Sequence, residues 1–264
     1  MKINRILEGK NIIVAGANGQ LGKSLVIDLE ASGAIVYKLD REFSNTEEID
    51  RRYIFECDIT NKSEIVEVFS KILETSKVLH GLVNLAAINP SLEKLGNRTK
   101  LDQFDFKEDL ESIKLTYAGT MNLVSSAENL FEQFSSIVIT GSDLSLISPD
   151  QRLYCKCTNE SNEHQLTCTL KPPSYSFEKF GLVGTTKYLS TYFGPSKVRV
   201  NCICPGPIDS DFPPEFRGKL LSRIPMKGLA TNSDYNSSVI FLLSDMSRFI
   251  TGITLPIDGG RSAW

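Results

Sequence analysis

Tyr175 and Lys179 lie four residues apart, a spacing that puts a phenol and an ammonium on one face of a helix. A phenol with a pKa near 10 is a poor base at neutral pH, and a neighbouring ammonium favours the phenolate. Such a couple can move the proton of a hydroxyl or carbonyl oxygen while a hydride moves at the carbon that bears it. Spacing alone proves little, because with 8 tyrosines in 264 residues such a pair arises by chance. Position carries the argument. The pair opens a helical pattern over residues 175–193 between two apolar runs, and Ser142 follows the first of those runs. Ser142, Tyr175 and Lys179 can therefore meet in one crevice, with Ser142 hydrogen-bonding the reacting oxygen as charge develops on it.

A hydride needs a carrier, and the N-terminal segment offers a place for one. Gly16-Ala17-Asn18-Gly19-Gln20-Leu21-Gly22 joins an apolar run to a helical pattern. Glycines there let the chain turn tightly and let a pyrophosphate approach the open N–H groups of the helix start. Asp40 closes the next apolar run, at the distance where a carboxylate accepts from an adenosine ribose and repels a 2′-phosphate. That favours NAD, while Arg41 beside it leaves NADP open. Asp58, after the third apolar run, is a candidate for the adenine end or a simple turn residue.

These groups need a scaffold, and the order of segments supplies it. Short apolar runs at 11–15, 34–39, 53–57, 81–88, 136–140, 198–203 and 252–257 read as buried strands. Helical periodicity covers 21–32, 61–74, 175–193 and 233–244, and a long pattern lies within 104–131. Strands alternating with helices predict one α/β domain over 1–264: a Rossmann fold, doubly wound, with about seven parallel strands and helices on both faces. Two long segments after strands break the alternation, 143–173 and the proline-rich 205–228. They read as a substrate-side insertion and a lid.

Composition excludes other classes. Hydrophobic residues are 41% and charged residues 23%, which argues against disorder. A net charge of −3 and pI near 5.6 argue against a nucleic-acid or anionic-membrane surface. No apolar run is long enough to span a bilayer, and the first residues lack the apolar run of a secretion signal. Six cysteines without regular spacing suit a reducing, cytoplasmic setting.

Taken together these residues resemble the single-domain short-chain dehydrogenase/reductase family. The likeness runs through the Gly16–Gly22 loop, Asp58-Ile59, Asn84-Leu85-Ala86-Ala87, Ser142, Tyr175-Ser-Phe-Glu-Lys179, Asn201-Cys-Ile-Cys-Pro205-Gly206, Thr251-Gly252 and Asp258-Gly259-Gly260. The resemblance implies that Tyr175 is the acid/base, that Lys179 also holds the nicotinamide ribose, and that Ser142 orients the substrate. It implies cofactor contacts from Gly16, Asn18, Gly19, Gln20, Leu21, Gly22, Asp40, Arg41, Asp58, Ile59, Asn84, Ala86, Pro205, Gly206 and Ile208, and commonly a tetramer built through two long helices, or a dimer. There are departures. Gln20 replaces a small residue in the glycine loop, and Thr116 stands where a helix asparagine completes a proton relay. Ser142 and Tyr175 are separated by a longer stretch than the family has. That insertion, with Phe180-Gly-Leu-Val-Gly and the final Trp264, is similar to oxidoreductases of flagellin modification and nonulosonic-acid pathways. The expectation is an NAD(P)-dependent oxidoreductase for a polar substrate such as a sugar phosphate or nucleotide sugar. The rivals are a 3-oxoacyl-type reductase and a non-catalytic dinucleotide-binding regulator.

Lesser signals follow. Cys155, Cys157, His164 and Cys168 could supply zinc ligands, but the Cys-x-Cys spacing is narrow and no second CxxC pair exists, so the cysteines read as unpaired thiols and no metal is expected. Cys202 and Cys204 read as small core or crevice residues. Lys94, Arg98, Lys100, Arg152 and Lys156 read as surface charge or as a hold for a substrate phosphate. Phe69, Phe131, Phe134, Phe177 and Phe241 read as core.

Overall fold

Asn11–Ala15, an asparagine followed by four buried apolar residues, forms β1, and the chain then turns through glycine into α1 (Gln20–Ala31). A computed structural model describes residues 5–43, 53–88, 98–157 and 166–264. The elements that follow are β2 (Ile35–Asp40), β3 (Ile54–Glu56), α2 (Lys62–Thr75), β4 (Leu79–Asn84), α3 (Phe106–Ile113), α4 (Thr120–Ala127) and β5 (Phe131–Thr140). Then come β6 (Cys155–Cys157), β7 (Leu166–Cys168), α5 (Pro173–Phe193), β8 (Arg199–Pro205), α6 (Pro214–Leu221), α7 (Asn232–Leu243) and β9 (Thr254–Ile257).

Seven strands make one parallel sheet in the order β3-β2-β1-β4-β5-β8-β9. Alternating side chains feed two cores, one on each face. Ile13, Leu82, Ile137 and Val200 pack with Phe69, Leu123 and Leu189 of α2, α4 and α5. Ile12, Val14, Val83 and Val138 pack with Leu25 and Leu29 of α1 and with Val239 and Leu242 of α7. The sheet grows one way from β1 and the other way from β4, so the crevice opens at the carboxyl ends of these two strands.

Several expectations are corrected. The fourth strand ends at Asn84, because its Oδ1 accepts from the N–H of Ala86 and turns the chain out of the sheet. The long helix is interrupted by a π-helical turn, Lys114–Gly119, where the Thr120 hydroxyl donates to the Thr116 carbonyl at 2.5 Å. The lid contains α6, started by Pro214 at its first position. The insertion is not irregular throughout: β6 and β7 form an antiparallel hairpin with Cys155 directly across from Cys168. Cys155 is disulfide-bonded, not an unpaired thiol. The hairpin brings distant positions together in a way the sequence spacing hides. Phe69 is core, and Phe131 and Phe241 edge the two cores. Phe134 is half-buried beneath the Arg248 guanidinium, and Phe177 is 67% exposed. Among the described residues no helix is long and apolar enough to cross a membrane.

Candidate active site

The glycine loop makes a cradle that no larger residue fits. Gly16 sits at φ +80°, and a Cβ there would meet the Ala86 nitrogen at 2.8 Å. A Cβ on Gly22 would run into the Gly16 carbonyl and meet Ala17 backbone at 2.7 Å. Gly19 begins α1 without any side-chain cap, whereas Asn61 caps α2 by accepting from the Ser63 N–H. The first N–H groups of α1 are thus left to an external anion. Gln20 and Leu21 form the first turn of α1 behind them.

Asp40 lies at the side of this groove. One carboxylate oxygen accepts from the Asn18 N–H and the other from the Arg41 N–H, both at 2.8 Å. Each oxygen keeps a second lone pair for a ribose hydroxyl. The groove is walled by Gly16, Gly19, Asp40, Arg41, Cys57, Ile59, Ala86 and Leu115. Asp58 follows β3 beside the groove residues Cys57 and Ile59, and its Oδ1 accepts from the Thr60 N–H at 2.8 Å. Asn84 bridges the groove floor to the broken helix, donating to Thr120 Oγ1 at 2.8 Å. Pro205 ends β8, the Gly206 carbonyl accepts from the Tyr235 hydroxyl at 3.0 Å, and Ile208 forms an isolated bridge with Ala230. Cradle, uncapped helix and acidic rim together fit a dinucleotide.

At the end of β5 the structure brings Ser142, Tyr175 and Lys179 together, exposed by 8%, 9% and 3%. Pro173 starts α5 and places Tyr175 in its first turn. Tyr175 is hydrogen-bonded to Ser142, and Lys179 Nζ lies 5.7 Å from the tyrosine ring centroid while donating to the Thr140 carbonyl at 3.5 Å. Burial pushes the Tyr175 phenol up to about 12, and the hydrogen bond to Ser142 opposes this only in part. Burial likewise lowers the Lys179 ammonium. In the chain alone the phenol is held protonated, as an acid.

Several residues at this site escaped the sequence reading. The Ser142 hydroxyl donates to Asp143 Oδ1 at 2.9 Å, and the other Asp143 oxygen pairs with the Arg261 guanidinium. Both side chains are buried. Burial raises the Asp143 carboxyl, and Arg261 opposes that. Thr116 donates to Glu178 Oε2 at 2.9 Å, so the position lacking the family asparagine is tied to a buried carboxyl raised by desolvation. Lys171, at the end of the insertion, has its Nζ 4.1 Å from the Tyr175 ring centroid. The repeated spacing Lys171-Tyr175-Lys179 was the available signal.

The insertion and the lid close over this side together. Leu153, Leu220 and Ile224 form a third apolar cluster. Asp150 takes Arg152 at 2.8 Å and Arg223 at 2.5 Å, which holds its carboxyl well below the usual range. Lys219 donates to the Cys155 carbonyl, and the Trp264 indole to the Arg223 carbonyl. Two of the cations read as a phosphate hold are already paired, Arg98 with Glu108 and Arg152 with Asp150. Lys100 is backbone-bonded to the Gln103 side chain, Lys156 lies in β6, and Lys94 and His164 lie outside the described residues. Among the described residues no group of three His, Cys, Asp or Glu side chains is placed to hold a metal. Cys202 and Cys204 are fully buried, with sulfurs 4.0 Å apart.

Comparison with known proteins adds to this geometry. A family model described as enoyl-(acyl carrier protein) reductase matches residues 16–157 and 161–262. L-xylulose reductase of Caenorhabditis elegans is 27% identical over 274 residues, covering 99% of both chains. The NADH-dependent enoyl-[acyl-carrier-protein] reductase of Bacillus subtilis is 28% identical over 279 residues, covering 98% of each. A crystal structure with bound NAD+ from Leptospira borgpetersenii, of a short-chain dehydrogenase, superposes with a TM-score of 0.81 at 28% identity, covering 97% of this chain and 93% of that one.

Proposed function

The chain belongs to the short-chain dehydrogenase/reductase family of NAD(P)-dependent oxidoreductases, and from that premise we propose that it interconverts a secondary alcohol and a ketone on a polar, sugar-derived substrate, using NAD. The observation that carries the reading is the buried Ser142–Tyr175–Lys179 cluster at the strand ends beside the glycine cradle. When bound, the dinucleotide supplies or accepts the hydride. The rest falls to the chain's own residues. Tyr175 gives its proton to the carbonyl oxygen in reduction and takes it back in oxidation. Ser142 hydrogen-bonds that oxygen, and Lys179 favours the phenolate once the proton has left.

The substrate class rests on the polar cap, with Asp150, Arg152 and Arg223 at its seam, and on the xylulose-reducing relative. An acyl thioester is the competing substrate, favoured by the family model's description and the Bacillus relative. The test follows NADH absorbance with a panel of sugars, sugar phosphates and nucleotide sugars beside 3-oxoacyl and enoyl thioesters. Turnover of a polyol or sugar is the expected result. Turnover of thioesters alone overturns the substrate class, and cofactor binding with no turnover overturns the enzyme reading.

NAD preference rests on Asp40. Replacing Asp40 by Ala removes an anion from the ribose side and leaves Arg41. The ratio of kcat/KM for NADH over NADPH is expected to fall by about tenfold or more, the size of a lost charge-assisted hydrogen bond. An unchanged ratio would move the selectivity elsewhere. A homo-oligomer goes with the reading as well: α3 and α5 expose Phe106, Leu110, Phe177, Tyr188 and Tyr192.

A further inference from the structure

The insertion after Ser142 ends on Lys171, whose side chain is 8% exposed and lies with its Nζ 4.1 Å from the Tyr175 ring centroid. Resting on the oxidoreductase reading above, we propose that Lys171 is a positioning residue for the acid–base tyrosine: a second cation, delivered by the insertion, that stabilises the Tyr175 phenolate in addition to Lys179.

The backbone holds Lys171 in place from both sides. Pro172 is fixed at φ −55° and ψ 137°, and Pro173 begins α5, so the direction from Lys171 into the helix has little freedom. The Lys171 N–H donates to Gln151 Oε1 at 3.1 Å, tying the two ends of the insertion, and the neighbouring Leu170 N–H donates to the Arg98 carbonyl at 2.8 Å. Burying an ammonium near a second ammonium costs stability, and the face of an aromatic ring offsets part of that cost. Placements of this kind concentrate where chemistry uses them.

Lys171 feels Lys179 and Glu178 of α5 and Asp143 beyond β5. Tyr175 faces Ser142, Asp143, Tyr154 and Glu178, and Asp143 is paired with Arg261. Burial first, then Lys179, brings the Lys171 ammonium down to about 8. Its support for the phenolate is therefore present at neutral pH and fades as pH rises past that value. A positive charge above the ring favours the negative phenolate over the neutral phenol, and removing it makes the proton harder to take.

The test compares full-length Lys171→Met, Lys171→Gln and Lys171→Arg with the unaltered protein. For alcohol oxidation kcat/KM of Met and Gln is expected to fall where Lys171 is charged and to meet that of the unaltered protein as pH rises past about 8. At neutral pH that is about a tenfold loss. Arg is expected to restore most of it, while NAD affinity and melting temperature stay unchanged. A second readout needs no turnover: the ultraviolet tyrosinate titration of each protein, minus that of its Tyr175→Phe counterpart, isolates the Tyr175 step. Lys171 is neutral by the pH of that step, so a downward shift in Arg, whose guanidinium stays charged there, supports the proposal even if no tested alcohol reacts. A step that Arg leaves in place, or a neutral-pH rate that Met and Gln keep, overturns it. Should Met lower the melting temperature, Gln, with a polar head for the same site, carries the comparison.

Discussion

Replacing Tyr175 by Phe is expected to lower kcat by roughly two to four orders of magnitude while leaving the NADH dissociation constant unchanged. The substitution removes one oxygen from a side chain that is 9% exposed, so the ring keeps its packing. What disappears is the proton donor at the reacting oxygen and the hydrogen bond to Ser142. Stability should fall by only about 1 kcal/mol, the usual worth of one hydrogen bond, or roughly 2–4 °C in a domain of this size. The pH dependence separates this from a general disturbance. The phenol is pushed up to about 12 by burial, so oxidation by the unaltered chain, which needs the phenolate, should accelerate as pH rises towards the tyrosine limb. The residual rate of Tyr175→Phe should be flat over the same range. Steady-state kinetics across pH, with NADH binding by fluorescence, checks both statements. A variant that keeps the limb would assign the proton to another group.

The parts of this site that were legible in the sequence are the ones set by local rules. Parallel strands buried on both faces announce themselves as short continuous apolar runs, so the strands that carry the site were placed within a few residues. The glycine cradle was readable because a positive φ at Gly16 and a close backbone contact at Gly22 demand glycine at fixed offsets. The break at residues 114–119 was not readable. It depends on the Thr120 hydroxyl competing for a backbone carbonyl and on Asn84 reaching Thr120 from another element. Phe177 misled because α5 carries apolar residues on more than one side, so spacing does not distinguish its buried face from its exposed one. Lys171 belongs to a polar segment whose composition suggests surface. Only the hairpin, the two prolines and the bond to Gln151 turn it inward.

Arg261 and Asp143 show the same limit at its extreme, since they are 118 residues apart. Their side chains are 7% and 4% exposed, so neither can fall back on water when its partner is removed. Arg261→Met, which strands the carboxylate, and Asp143→Leu, which strands the guanidinium, are each expected to cost about 3–5 kcal/mol. In melting temperature that is roughly 10 °C. The double variant replaces both charges by apolar groups and should recover most of that loss, giving a coupling of opposite sign to the single effects. Catalysis should not recover with it. The Ser142 hydroxyl donates to Asp143 and accepts from the Leu144 N–H, so Asp143 fixes which way the serine hydrogen points. With the carboxylate gone the hydroxyl turns freely, and kcat should stay about tenfold or more below the parent in the stable double variant. Thermal unfolding and kcat measured on all four members of the cycle separate the two roles. A double variant with parental kcat would make the pair a brace for the C-terminal turn alone, and single variants with parental melting temperatures would mean that solvent reaches both charges.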